Sequence, residues 1–204
     1  MERIATEFLH RPDQPNGAGL VLTHGAGGNC RMPLLVALAN AFCVAGVCVY
    51  RYDLPFRQRR PSGSPSPSTA AADRAGLREA ADAMRALVTG PVFLGGQSYG
   101  GRQATMLVSE EPEVAARLLL LSYPLHPPNR PEQLRTAHFP ALRTPAMFVQ
   151  GTRDPFGSIE EMQAALKLIP ARTSLVRIEG AGHDLRRGKF DLEQLVVRPF
   201  LSAK

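Results

Sequence analysis

The residues with the most chemical content lie in the run GGQSYGG, residues 95–101. Gly96 and Gly100 flank Ser98 at two positions on either side, the G-x-S-x-G spacing of a tight turn. In such a turn the serine takes strained backbone angles to project its hydroxyl, and the glycines have no side chain to collide across it. A serine hydroxyl is a weak nucleophile near neutral pH, so it needs a base within hydrogen-bond reach and a third group to orient that base. Five histidines compete for the role. His10 precedes the core segments, His126 and His138 fall in a Pro-rich connection, and His24 reads as a residue that fixes its own loop by hydrogen bonds. His183, in EGAGHDL, follows the last apolar run in a Gly-rich loop and is the best-placed base. Asp154, in VQGTRDPFG, comes directly after the preceding apolar run and reads as the orienting acid. Asp184 is its rival, but as the immediate neighbour of the histidine it is poorly placed to meet Nδ1.

Attack on a carbonyl also builds a negative oxygen, which must meet preorganised N–H donors. HGAGG, residues 24–28, supplies a loop in which backbone can approach a substrate closely. The amides of Ala26 and Tyr99 are the expected donors, with Gly27 as the alternative to Ala26, and Gly25 and Gly27 are expected to line the substrate's place. Neither G-x-x-x-x-G-K-[ST] nor G-x-G-x-x-G occurs, so the loop does not read as a phosphate cradle. Arg57, Arg59 and Arg60 form the one cluster of three arginines within four residues. It is a solvated loop, or it borders the site with Arg57 contacting an anionic acyl group. Asp53, which opens that loop, reads as a turn or ion-pair residue.

These groups must be positioned by a scaffold, and the pattern of apolar runs says which. ATEFL near the start, GLVLTH at 19–24, VCVYRY at 47–52, PVFLGG at 91–96, RLLLLSY at 117–123, AMFVQG at 146–151 and TSLVRIEG at 173–180 are short and β-rich. Most are apolar throughout rather than alternating, which predicts strands buried on both faces of a parallel sheet. Helical spacing appears between them over about 32–44, 70–88, 99–110, 158–168 and 191–202. The alternation predicts βαβ units in a three-layer α/β/α sandwich with a mostly parallel sheet of about 6–7 strands. A sheet covered on both sides takes its ligand at the C-terminal strand ends, where the HGAGG run, Ser98, Asp154 and His183 fall. The stretch RRPSGSPSPSTAAAD is expected to be irregular until about Thr69 and to border the site. The Pro-broken residues 123–145 have room for one or two helical turns, too few for a cap domain.

Composition bounds the rest. A chain of 204 residues with 44% hydrophobic content and no internal repeat or linker is expected to form one domain, 1–204. It has no run of about 20 apolar residues to span a bilayer, and its N-terminus lacks the apolar core of a signal peptide, which predicts a soluble, cytoplasmic protein. The net charge of +6 comes from scattered arginines, without tryptophan or aromatic-interleaved basic strands, so no nucleic-acid partner is expected. Cys30, Cys43 and Cys48 show neither a CxxC pair nor zinc-site spacing. Cys43 and Cys48 read as small buried hydrophobes.

Together, HGAGG, GGQSYGG, GTRDPFG and GAGHDL resemble the α/β-hydrolase superfamily, over nearly the whole chain. The order Ser, Asp, His along the chain is the one that fold uses. Small size and the absence of a cap resemble the dienelactone-hydrolase-like group, particularly its bacterial and testis-expressed-protein-like members, which carry HGAGG and a following RYDLPFR segment. Dienelactone hydrolases proper use a cysteine nucleophile, where this chain has Ser98. The resemblance implies that Ser98 attacks, His183 transfers the proton, Asp154 holds His183, and the Ala26 and Tyr99 amides bind the oxyanion, with no metal or organic cofactor. The expected function is hydrolysis of small carboxylic or thio esters through an acyl-enzyme on Ser98. The alternative is a non-catalytic binding or scaffold protein on the same fold, and lyase or perhydrolase chemistry can use the same three residues.

Overall fold

The computed structural model describes residues 6–202. Seven strands form one sheet: β1 (Leu9–His10), β2 (Gly19–Thr23), β3 (Cys48–Tyr52), β4 (Val92–Gln97), β5 (Arg117–Leu121), β6 (Ala146–Gly151) and β7 (Thr173–Ile178). Their order is β1-β3-β2-β4-β5-β6-β7, with β1 antiparallel to β3 and every other pairing parallel. All residues of β2, β3, β4 and β6 are buried, as unbroken apolar runs require when helices cover both faces. The edge strands β1 and β7 carry partly exposed positions, as does Arg117 at the start of β5.

Helices α1 (Pro33–Val44) and α6 (Arg198–Ser202) cover one face, through Leu34, Leu35, Leu38, Phe42 and Phe200. Helices α3 (Ala70–Arg85), α4 (Tyr99–Glu110) and α5 (Ile159–Leu166) cover the other, through Leu77, Met84, Leu107 and Met162. The result is the expected three-layer arrangement. Helix α5 opens with a reciprocal cap, Ser158 Oγ accepting from the Glu161 amide at 3.2 Å and Glu161 Oε2 from the Ser158 amide at 2.8 Å.

Three segments differ from expectation. In ATEFL, Ala5 lies outside the described residues, Thr6–Phe8 is a 3₁₀ turn, and only Leu9 and His10 pair with the sheet. Pro12 follows two residues later and has no N–H to extend that pairing. In the loop that carries the arginine cluster, just before the stretch expected to be irregular, Pro55–Arg59 forms the short helix α2. Pro55 sits at its first turn, where a missing N–H costs nothing, and Asp73 of α3 accepts the Phe56 amide at 2.9 Å. A tertiary contact, invisible in the local sequence, thus caps α2. The segment expected as one helix over 191–202 is a π-helical turn, Glu193–Val197, running into α6. Pro199, which cannot donate to the turn before it, marks the irregularity.

The parallel register sets the strand ends level. Thr23 lies opposite Tyr52 and Gly96, Gln97 opposite Leu121, Leu121 opposite Val149, and Gly151 opposite Ile178. The loops that follow therefore open along one edge of the sheet, and they carry the HGAGG run, Ser98, Asp154 and His183.

Candidate active site

Ser98 joins β4 to α4 at φ 50° and ψ −114°, angles that a residue with a side chain rarely adopts. The turn is possible because the chain closes on itself with glycines. A Cβ on Gly96 would stand 2.5 Å from the Gly101 nitrogen, and one on Gly100 would stand 2.6 Å from the His24 carbonyl oxygen. The strain holds the Ser98 hydroxyl above the sheet edge, half-buried at the floor of a cavity of about 500 Å³.

His183 Nε2 lies 2.8 Å from Ser98 Oγ, and its Nδ1 lies 2.8 Å from Asp154 Oδ2 and 3.0 Å from Oδ1. The Asp154 side chain has no solvent exposure, whereas that of His183 keeps 25%, facing the cavity. A carboxylate so enclosed needs donors. Asp154 has three: His183 Nδ1, the Phe156 amide at 2.9 Å and Gln150 Nε2 at 3.0 Å. Gln150 Nε2 also donates to the Gly157 carbonyl at 3.2 Å, so two acceptors fix the orientation of its amide. The Phe156 ring lies over the imidazole at 4.2 Å between centroids and 30° between planes, and Gln97 Nε2 donates to the His183 carbonyl at 3.2 Å. These contacts hold the imidazole between the carboxylate and the hydroxyl.

The HGAGG loop forms the facing wall. Its turn closes with the Gly28 amide donating to the Gly25 carbonyl at 3.0 Å, a bond that leaves the amides of Ala26 and Gly27 free of the turn. Gly25 packs against Ser98, since a Cβ there would lie 3.3 Å from the Ser98 Cβ. Gly25, Ala26, Gly27 and Tyr99 all line the cavity. As the first residue of α4, Tyr99 has no partner for its amide inside the helix. Its phenol donates to Asp73 Oδ2 at 2.7 Å, and its own ionisation is suppressed mainly by burial.

Arg57 sits elsewhere than expected. Its side chain is buried and does not line the cavity. Nε donates to the Gly28 carbonyl at 2.7 Å, and Nη2 donates to the carbonyls of Ala26 and Gly63, both at 2.9 Å. The reason is α2, which turns Arg57 under the glycine loop while Arg59 and Arg60 remain exposed. Arg57 therefore braces the HGAGG loop from behind. His24 braces it from below: Nδ1 donates to the Gly25 carbonyl at 2.8 Å and Nε2 accepts the Leu54 amide at 3.2 Å. Burial pushes its pKa down, consistent with the neutral ring those two bonds require.

The remaining candidates take no part in the hydrogen-bonded line from Ser98 to Asp154. His10 accepts from Arg51 Nε at 2.9 Å, His126 pairs with Glu161, and His138 bonds the Thr105 hydroxyl at 2.8 Å, burial pushing its pKa down to about 4. Asp53 accepts the Cys30 amide at 2.6 Å. Asp184 accepts the Arg186 amide and pairs with Arg187 across 3.7 Å, well exposed. The three cysteines are free thiols whose ionisation burial disfavours, Cys30 being pushed up to about 12. Among the described residues no three His, Cys, Asp or Glu side chains gather as metal ligands would, and no helix is long and apolar enough to cross a membrane.

Sequence reasoning did not find Gln97, Gln150, Phe156 or Arg102. Arg102 had a signal, since it lies four residues after Ser98 and so one helical turn along α4. It lines the cavity beside Pro124 and Arg135 from the Pro-rich connection.

Residues 16–194 match the family described as "Alpha/beta hydrolase domain". Among solved structures, the fold is similar to that of an α/β serine hydrolase without lid from Xanthomonas campestris, with 20% identity, a TM-score of 0.73 and coverage of 96% of this chain and 89% of that one. Est1E from Butyrivibrio proteoclasticus with bound ferulic acid gives 18% identity, a TM-score of 0.75 and coverage of 95% and 92%. A dienelactone hydrolase from Anabaena variabilis gives 20%, 0.69, 95% and 87%.

Proposed function

Because this chain belongs to the alpha/beta hydrolase domain family, we propose that it is a serine hydrolase that cleaves small carboxylic or thio esters through an acyl-enzyme on Ser98. The observation that carries this reading is the unbroken hydrogen-bonded line from Ser98 Oγ through His183 to the enclosed Asp154. A scaffold role gives no reason for a strained serine, an oriented imidazole and a fully enclosed carboxylate to meet at the floor of one cavity.

In the proposed reaction, Ser98 Oγ attacks the ester carbonyl while His183 Nε2 takes its proton. Asp154 keeps the Nδ1 proton in place and offsets the charge of the imidazolium. The carbonyl oxygen becomes an oxyanion, bound by the amides of Tyr99 and of Ala26 or Gly27. His183 returns the proton to the departing alcohol or thiol, and the acyl group stays on Ser98. Water, deprotonated by His183, then releases the acid. Among the described residues no domain covers the cavity, which favours short or medium acyl chains. Hydrolysis of p-nitrophenyl esters of increasing chain length tests the reading, with turnover expected for the short ones. Failure to turn over any member of the series, with the protein folded, would contradict it.

The same reading makes Arg57 a positioning residue. A trans peptide sets C=O and N–H on opposite sides, so holding the Ala26 carbonyl also fixes the direction of the Gly27 amide. Arg57→Met is expected to leave these carbonyls unpaired and cost roughly 1–3 kcal/mol of stability in urea denaturation. It is also expected to lower kcat by about 10- to 100-fold with a smaller change in KM, because the donors serve the transition state more than the bound ester. Loss of stability with kcat unchanged would make its role structural alone.

A further inference from the structure

Two guanidinium groups in the wall of this cavity have no counter-charge among the described residues. Arg102 makes no side-chain hydrogen bond or ion pair among the described residues, and its Nε is buried without a partner. Among the described residues Arg135 makes one long side-chain bond, from Nη1 to the Pro124 carbonyl at 3.4 Å, and no ion pair. The two are close enough that the charge of Arg102 adds to burial in disfavouring the protonated form of Arg135. The one acidic residue lining the cavity, Asp184, is turned to Arg187, and the buried Asp73 nearby is taken by Tyr99 and Phe56. Both side chains are half-buried, so each charge is partly stripped of water, and Arg102 Nε is shut off from it; an unpaired donor held that way is costly, and like charges brought together add to that cost. An oxyanion between them would relieve both, and guanidinium forks match carboxylate geometry.

The pair also has a defined place relative to Ser98. Arg102 is one turn along α4, with its amide donating to the Ser98 carbonyl at 3.0 Å. A second recess, floored by Ser64–Pro67, adjoins the cavity and shares Ala26, Tyr99, Arg102 and Arg135 with it. His183 and Phe156 line the first cavity alone. A leaving oxygen must lie at His183 to be protonated, so the acyl chain runs away from it, past Tyr99 toward the two arginines.

We infer that Arg102 and Arg135 form an anion subsite for the acyl group, and that the substrates are esters whose acyl portion carries an oxyanion, a carboxylate or a phosphate, a few atoms from the scissile carbonyl. This rests on the ester-hydrolase reading of Ser98 and specifies its substrate class. The anionic acyl group that the sequence left as one of two readings of the cluster containing Arg57 is thus assigned to Arg102 and Arg135 instead.

The test compares mono-p-nitrophenyl glutarate with neutral p-nitrophenyl pentanoate, reading the ratio of their kcat/KM values after subtraction of spontaneous hydrolysis. The ratio is expected to be about tenfold or more in wild type and to fall by at least about tenfold in Arg102→Gln and in Arg135→Gln, the scale of one charge-assisted bond. Arg102→Lys, which keeps the charge and most of the packing, is expected to restore part of it. Arg59→Gln removes the same charge from an exposed position and controls for the overall field of the protein. A ratio that Arg102→Gln leaves unchanged, or that Arg59→Gln lowers equally, would overturn the inference. Calorimetric binding of glutarate and of inorganic phosphate to the Ser98→Ala protein separates this from the ester reading. Glutarate binding that needs Arg102, without turnover of either ester, would keep the anion subsite and remove the ester reading. Turnover of both esters with no Arg102-dependent binding of either anion would do the reverse, and the stronger of the two ligands identifies the oxyanion.

Discussion

Replacing Ser98 with alanine is expected to lower kcat/KM for a short p-nitrophenyl ester by roughly four to six orders of magnitude, to the level that binding and the oxyanion donors sustain alone. The effect is large because every step of the proposed reaction passes through its oxygen, and the nearest alternatives are poor. The three thiols are held protonated, and none lines the cavity. The fold should survive the change. Alanine meets the same backbone restriction at φ 50°, and the one side-chain hydrogen bond lost is to His183, at the cavity floor. A thermal melt within a few degrees of wild type, alongside lost turnover, is the expected pair of results. Retained turnover would place the chemistry on another residue.

Asp154→Asn is expected to cost about four orders of magnitude in kcat, by misorienting the imidazole rather than by emptying the site. Three donors converge on this carboxylate: His183 Nδ1, Gln150 Nε2 and the Phe156 amide. An asparagine offers one oxygen and one NH₂ group, so at least one of those donors must face another donor. The backbone amide cannot change its nature, and Gln150 is held by Gly157 as well, so the histidine is the group free to adapt, by moving its proton to Nε2. A ring protonated at Nε2 cannot accept the Ser98 proton. Asp184→Asn provides the contrast, since that carboxylate is exposed and bonded to Arg186 and Arg187. Its kcat/KM is expected to stay within about threefold of wild type, as surface substitutions usually do. Equal losses in the two variants would mean that the orienting acid has been assigned wrongly.

How far such effects could be anticipated from sequence depended on how locally each feature is encoded. Most of the parallel strands were legible because a strand buried on both faces is apolar along most of its length, and the chain spells such runs from β2 to β6, while β7 at the sheet edge keeps exposed polar positions. Ser98 was legible because its turn demands glycine at two fixed positions. Asp154 and His183 each follow a recognisable strand directly, and the level strand ends then bring them to one edge. What could not be read were contacts made across the chain. The place of Arg57 depends on α2, whose cap comes from Asp73, and a cluster of three arginines in a loop looks alike whether one of them turns inward or none does. Gln97, Gln150 and Phe156 support the site through geometry that no spacing rule encodes. Arg102 and Arg135 meet only because the Pro-rich connection folds back over α4.

The measurement that bears most directly on the central claim is intact-mass analysis of the purified protein and its Ser98→Ala variant after exposure to a fluorophosphonate probe. A serine activated by His183 should attack phosphorus as it attacks a carbonyl. The account predicts a single adduct on the wild type and none on the variant. A folded wild type that stays unlabelled, or a variant labelled as fully as wild type, would contradict it.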